Sequence, residues 1–142
     1  MKKEEKDLLL KDLSSRLPYG VKCYIPEAND TSILAAVLED GENTLFNFWE
    51  DSRKIQYWYQ LYISEFKPYL FPLSSITKEQ EDELHSLGIG YGEYAFHDDI
   101  YGRGIGVDVA YKFYEWCYKN HVDFLGLIPM GLANDATGLN IY

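Results

Sequence analysis

Leu10, Leu13 and Leu17 recur at helical spacing, with Leu9 adjoining and the charged residues of the stretch set opposite them. Side chains three and four apart share one face of an α-helix, so the pattern predicts an amphipathic helix over 2–17. Pro18 ends it, because the residue before a proline avoids the helical region. Leu17-Pro18-Tyr19-Gly20 fits a type I turn, with Pro second and Gly fourth. Val21 to Ile25 then reads as a short strand ended by Pro26, and Glu27-Ala28-Asn29-Asp30 as a loop. Two mostly apolar runs follow, Ile33 to Leu38 and Thr44 to Trp49, with Asp40-Gly41 between them. Asp-Gly between such runs predicts a hairpin with a type I′ turn, which needs positive φ twice. Glu50 to Lys54 makes the next turn. Over 55–63 two periods compete. Ile55, Tyr57, Tyr59, Leu61 and Ile63 alternate as in a strand, while Ile55, Trp58, Tyr59, Tyr62 and Phe66 fit a helical stripe. The aromatic enrichment favours the strand.

Phe66-Lys67-Pro68-Tyr69-Leu70-Phe71-Pro72-Leu73 carries two prolines four apart. Proline lacks a backbone N–H, so this spacing is expected to exclude regular helix and central strand and to give an extended aromatic connector. The next helix is well signalled: Thr77 and Gln80 form a capping box, acids fill the first turn, and Gly88 closes it after Leu87. Leu84 and Leu87, with Ile76 before the cap, are its expected buried contacts. Residues 88–106 hold six glycines and form the longest expected irregular region. Val109, Ala110, Phe113, Trp116 and Cys117 then make one face of a helix ending near Asn120. The segment from Val122 to Tyr142 carries too many apolar residues for a free tail and is expected to pack back. Nothing repeats with a period of 20–50 residues. The expected architecture is a single α+β domain over 1–142, a small mainly antiparallel sheet of three to four strands with about three helices segregated around it.

Composition narrows the function classes. The chain has 142 residues, 46% apolar and 25% charged, which is ordinary globular usage and large enough to need no disulfide or metal staple. The formal charge is −10. Residues 1–76 carry nine Lys/Arg against twelve Asp/Glu, and 77–142 carry four against eleven, so most of the excess lies in the second half. Within 79–99 there are seven acids and no Lys or Arg. Direct nucleic-acid binding is not expected, because phosphate-tracking surfaces need clustered bases. The acidic run reads first as a solvated face, and second as a surface for a basic partner or an imitation of nucleic acid. Thirteen Tyr, seven Phe and three Trp suit either core rims or contact surfaces. Cys23 and Cys117 form no C-x-x-C pair. The opening apolar run Leu8-Leu9-Leu10 is too short for a signal-peptide core, and no stretch approaches the roughly 20 apolar residues of a membrane span. A cytoplasmic protein with reduced thiols, not associated with membrane, is the expectation.

Chemistry-bearing patterns are sparse. Gly88-x-Gly90-x-Gly92 and Gly102-x-Gly104-x-Gly106 are not the dinucleotide fingerprint, and no Walker-type Gly-Lys-Ser/Thr occurs. His85, His97, Asp98, Asp99, His121 and Asp123 are the metal-donor candidates, and none stands at paired-Cys or H-E-x-x-H spacing. His121 is expected at a helix C-terminus, where an imidazolium interacts well with the dipole. Cys117 reads as core, Cys23 could face either way, and there is no G-x-S-x-G. Neither catalytic nor cofactor residues are assigned, and no metal or cofactor is expected. The leading expectation is a non-enzymatic protein-binding domain. Its candidate surface is Trp49, Trp58 and Tyr62 with Glu79, Glu83, Asp98 and Asp99. The alternatives are a small-ligand binder or enzyme using the 88–106 loop, and an acidic imitator that occupies a nucleic-acid-binding protein.

Three segments are distinctive together: 11–21, Lys67-Pro68-Tyr69-Leu70-Phe71-Pro72-Leu73-Ser74-Ser75, and Asp135-Ala136-Thr137-Gly138-Leu139-Asn140-Ile141-Tyr142. On these the chain resembles an uncharacterised family of small proteins from gut Bacteroidales genomes and their phages and mobile elements. The resemblance covers about a third of the chain. It implies a bacterial or phage origin, and no activity, cofactor or catalytic residue. The segments themselves are turns, a proline connector and a docking tail, expected to define the fold; the rival expectation is that the connector or the tail meets a host protein.

Overall fold

The leucine spacing, the Asp-Gly turn and the capping box each produce the element they predict. The computed structural model describes residues 1–49, 57–88 and 107–142. Among them are three α-helices, α1 (Lys3–Arg16), α2 (Lys78–Ser86) and α3 (Val107–Lys119). The strands are β1 (Lys22–Ile25), β2 (Asp30–Asp40), β3 (Asn43–Trp49), β4 (Tyr57–Leu61), β5 (Lys67–Pro72), β6 (Val122–Asp123) and β7 (Asn134–Asp135). They form one sheet in the order β4-β3-β2-β1-β5-β6, with β7 also pairing β5. The α+β class stands, but seven strands replace the three to four expected. β1–β2, β1–β5, β2–β3 and β3–β4 are antiparallel, whereas β6 and β7 join β5 in parallel. The glycine-rich stretch beyond Gly88 and the turn at 50–54 lie outside the described residues.

The hairpin closes between Asp40 and Asn43, so its two loop residues are Gly41 and Glu42. Gly41 takes φ +62° and no positive φ is needed at Glu42. That is the φ pattern of a type II′ turn, with Gly first, rather than the I′ turn expected from Asp-Gly. Within 55–63 the described residues 57–61 form β4, which pairs Phe46 with Leu61 and Trp49 with Tyr57, while Ile63 opens a 3₁₀ turn and 55–56 lie outside the described residues.

The proline connector is the main correction. Residues 67–72 form β5, an interior strand that pairs with β1, β6 and β7. The two prolines fall at its ends, where the missing N–H is tolerated. Between them the backbone is fully used: Phe71 N–H donates to the His121 carbonyl at 2.8 Å, and the Leu70 carbonyl accepts from Ala136 N–H at 2.8 Å. Antiparallel pairing to β1 involves only Lys67 and Pro68, while Tyr69 to Pro72 face β7 and β6. Changing partners midway keeps either proline from having to donate within a continuous ladder.

Two apolar clusters form the interior. The first joins Leu9 and Leu13 of α1 to the sheet and to Leu127, Leu132 and Ala133 of the C-terminal segment. Phe66 sits at its centre, edge-on to Phe46 and Phe48 at 5.1 and 4.9 Å. The second joins Leu84 of α2 to Phe113, Trp116 and Cys117 of α3 and Val122 of β6, with Leu73, Ile76 and Leu87 packed against it. Cys23 is therefore an inward-facing core thiol, as Cys117 is. Thr77 caps α2 by accepting from the Gln80 N–H at 3.2 Å, and Gln80 Oε1 accepts from the Thr77 N–H at 2.9 Å.

The C-terminal segment packs back as its composition predicts. The Tyr142 hydroxyl accepts from Lys22 N–H and donates to the Tyr69 carbonyl, both at 2.8 Å, so the last residue spans β1 and β5. Lys22 Nζ donates to the Ile141 carbonyl at 2.7 Å. Tyr142→Phe keeps the ring and removes these two bonds. Stability should fall by about 1 kcal/mol, the net worth of such bonds where water can replace them. A lower urea midpoint at unchanged slope is the expected reading; an unchanged midpoint would show that the hydroxyl holds nothing.

Candidate functional site

Helix α3 carries two side-chain stripes. Phe113, Trp116 and Cys117 form the buried one. Tyr111, Tyr114, Glu115 and Tyr118 recur at i, i+3, i+4 and i+7 and form a second face. That face meets Ser15, Pro18 and Tyr19, where α1 ends and turns toward β1, and the two sides line a groove of about 340 Å³. Pro18 and Gly20 fix this corner: Leu17–Tyr19 is a 3₁₀ turn and Gly20 leaves it at φ +70°.

The groove walls are held from behind. Tyr114 and Tyr118 pack on Phe124 with ring centres 5.0 and 5.5 Å apart. The Arg16 guanidinium lies 5.3 Å from the Tyr118 ring centre. Ser15 hydrogen-bonds the Tyr118 phenol, and burial raises that phenol above its ordinary value, so it stays neutral. Tyr111 is different: it is 68% exposed, the highest among the exposed large apolar side chains of the described residues. Among the described residues Glu115 is the only charged group lining the groove.

Behind the groove lies a buried polar network. Arg16 makes two parallel bonds to Asp12, Nε to Oδ2 at 2.7 Å and Nη2 to Oδ1 at 3.0 Å, with neither side chain exposed. Arg16 also donates to the Val122 carbonyl at 2.8 Å and the Cys117 carbonyl at 3.4 Å. It thus ties α1 to α3 and β6. The charges of α1 do not all lie opposite the leucines, as expected; Leu9, Asp12, Leu13 and Arg16 share the buried stripe. Asp123, buried nearby, accepts from the Leu127 and Ile128 N–H groups at 2.9 and 2.8 Å and shapes the following turn.

His121 follows α3 in the left-handed conformation, φ +59°. Its ring stacks on Tyr142 at 3.6 Å and 11°. Burial, with Arg16 and Lys22 adding to it, lowers its pKa from 6.5 to about 4. The imidazolium expected at this helix end is therefore a neutral imidazole. The dipole's contribution at such a site is at most about 2 kcal/mol, and here desolvation and two cations act against it.

Two other concavities are lined by described residues. One of about 540 Å³ runs between the start of α1, the β2–β3 hairpin end and residues 62–65, with Tyr62 among its walls. The other, about 270 Å³, lies between α2 and α3, where Glu83 and Leu87 face Lys112, Glu115, Trp116 and Lys119. The Trp116 indole N–H is buried and has no hydrogen-bond partner among the described residues.

Of the residues singled out from the sequence, Tyr62 is half exposed just past β4, and Trp49 is half-buried at the end of β3. Trp58 lies on β4, its side chain outside the description. Glu79 and Glu83 lie one turn apart on exposed positions of α2. Asp98 and Asp99 lie outside the described residues, as does His97. Among the described members, Tyr62 follows β4 whereas Glu79 and Glu83 lie on α2, which packs with α3 and β6. Tyr19, Tyr111, Tyr114 and Tyr118 were not singled out; their signal is the helical spacing of three tyrosines beside the more apolar stripe.

Among the described residues no group of three or more His, Cys, Asp or Glu stands placed to hold a metal ion. No helix among them is long and apolar enough to cross a membrane. No family model matches the chain, and neither a curated protein nor a solved structure matches it.

Proposed function

We propose that this chain is a non-enzymatic protein-interaction domain of bacterial or phage origin that works in the cytoplasm. The observation that carries the reading is the tyrosine groove between α1 and α3, with Tyr111 left 68% exposed on walls that are themselves fixed by packing. Tyrosine offers a large rigid apolar body and a polar tip at little entropic cost, which is why it is enriched where proteins meet. Burial pushes both Cys23 and Cys117 well above the ordinary thiol range, so neither is a ready thiolate.

The test is site-specific crosslinking in the native host. A photoreactive phenylalanine analogue at position 111 should give one discrete protein adduct, and the same analogue at the exposed Leu139 should not. Equal, diffuse labelling from both positions would reject the reading.

A further inference from the structure

From the lining of this groove we infer that it receives the cationic side chain of a partner protein, an arginine. The inference rests on the interaction-domain reading and names the chemistry that the same surface selects.

Among the described residues the groove presents four phenol rings, one proline, one serine and one carboxylate, and no Lys or Arg. Aromatic faces carry negative quadrupole potential, and a cation over a tyrosine face gains about 0.5–1 kcal/mol when exposed and about 2 when desolvated. Glu115 adds a full negative charge on the same wall, and no ion pair to it is found among the described residues. Lys112 and Lys119 share its helix and, with Glu115 itself, line the neighbouring cleft between α2 and α3. Arg16 touches Tyr118 from behind, fully buried, with its charge matched by Asp12. The face turned to solvent is therefore electron-rich and anionic, on a chain whose formal charge is −10.

Arginine suits this lining better than lysine. Its planar guanidinium stacks on aromatic rings, is weakly hydrated, and can still reach a carboxylate with two N–H groups. Lysine's ammonium is compact and strongly hydrated, so entering between rings strips more water for one contact. A neutral apolar side chain would fill the groove and leave Glu115 unpaired. The Pro18 corner and the packing of Tyr114 and Tyr118 on Phe124 fix the walls before anything binds, which lowers the ordering cost of a small ligand.

The experiment follows backbone and tyrosine-ring NMR signals of the full chain during titration with a blocked Gly-Arg-Gly tripeptide. Parallel titrations use the lysine tripeptide, the citrulline tripeptide (same shape, no charge) and tetramethylammonium. Shifts should map to residues 15–19 and 111–118, with citrulline at least roughly tenfold weaker, as loss of a cation–π contact plus one charge pair implies. Tyr111→Ala and Glu115→Gln should each weaken the arginine peptide several-fold. Both positions are exposed, so unchanged melting curves will show that the fold is intact. Citrulline binding as well as arginine, shifts centred elsewhere, or tetramethylammonium binding more tightly than the arginine peptide would overturn the assignment. A protein adduct at position 111 combined with no arginine preference sinks this inference alone. No adduct and no peptide shifts sink the interaction reading with it.

Discussion

Asp12→Ala is expected to destabilise the fold by about 3–5 kcal/mol, because it strands the Arg16 guanidinium where water does not reach. Both side chains are fully buried, and the pair is bidentate at 2.7 and 3.0 Å. The two carbonyl acceptors at Val122 and Cys117 satisfy remaining donors but supply no countercharge. A loss of this size is a large fraction of the roughly 5–15 kcal/mol that holds a domain together. The two partners are not equivalent. Burial already raises the Asp12 carboxyl, and Arg16 pulls it back down. An Asp12 left alone can take a proton and become neutral, whereas an arginine cannot lose one. Arg16→Met should therefore cost less than Asp12→Ala. The double replacement, Asp12→Leu with Arg16→Met, should cost much less than the two single losses added, because it leaves no uncompensated charge. Urea unfolding of the four proteins gives the cycle. A loss below about 1 kcal/mol for Asp12→Ala would place the pair in the class of surface ion pairs and contradict its burial.

The same pair shows where the sequence was legible and where it was not. Asp12 and Arg16 stand at i and i+4, a spacing that favours pairing on any helix, buried or exposed. Deciding between the two needs the identity of what packs above, and that is set by α3 and β6, a hundred residues away in the chain. Local signals fared better. The Thr77/Gln80 cap, the Pro18 stop and the Asp40-Gly41 hairpin involve neighbours in sequence, and each element formed where the residues placed it. Strand β5 failed as an expectation because proline rules count one partner per side, while β5 exchanges partners midway. The two-residue strands β6 and β7 are too short to carry any period. In α3 the apolar stripe masked the tyrosine stripe one step around the helix. Tyrosine abundance was visible, but the groove depends on the corner at Pro18 meeting α3, which is again a long-range contact.

Between pH 6.5 and pH 4 the protein is expected to lose about 1–2 kcal/mol of stability through His121. The folded pKa is lowered from 6.5 to about 4, by burial first and then by Arg16 and Lys22. Above pH 6.5 the ring is neutral in both folded and unfolded chains and contributes no pH dependence. As the pH falls through 6.5 the unfolded chain takes up a proton that the folded ring refuses, so stability drops. The drop ends near pH 4, where the folded ring protonates as well. The whole shift is worth about 3 kcal/mol at 1.36 kcal/mol per unit, and partial exposure of the ring screens it to the smaller figure. Stacking on Tyr142 works the other way, since an imidazolium over a phenol gains about 0.5–1 kcal/mol. It is outweighed because the charged ring would also lie near two cations and lose water. The discriminating variant is His121→Asn. Asparagine tolerates the φ of +59° at this position and does not titrate. Urea midpoints at pH 7, 5.5 and 4.5 should converge for the two proteins in acid, with the variant flatter across the window. A parallel pH dependence, or an imidazole NMR titration midpoint near 6.5 in the folded protein, would show that the ring is hydrated rather than held between α3 and the C-terminal tyrosine. Convergence would make His121 the group through which acid loosens the tail from β1 and β5, because the ring it stacks on is the one whose hydroxyl joins those strands.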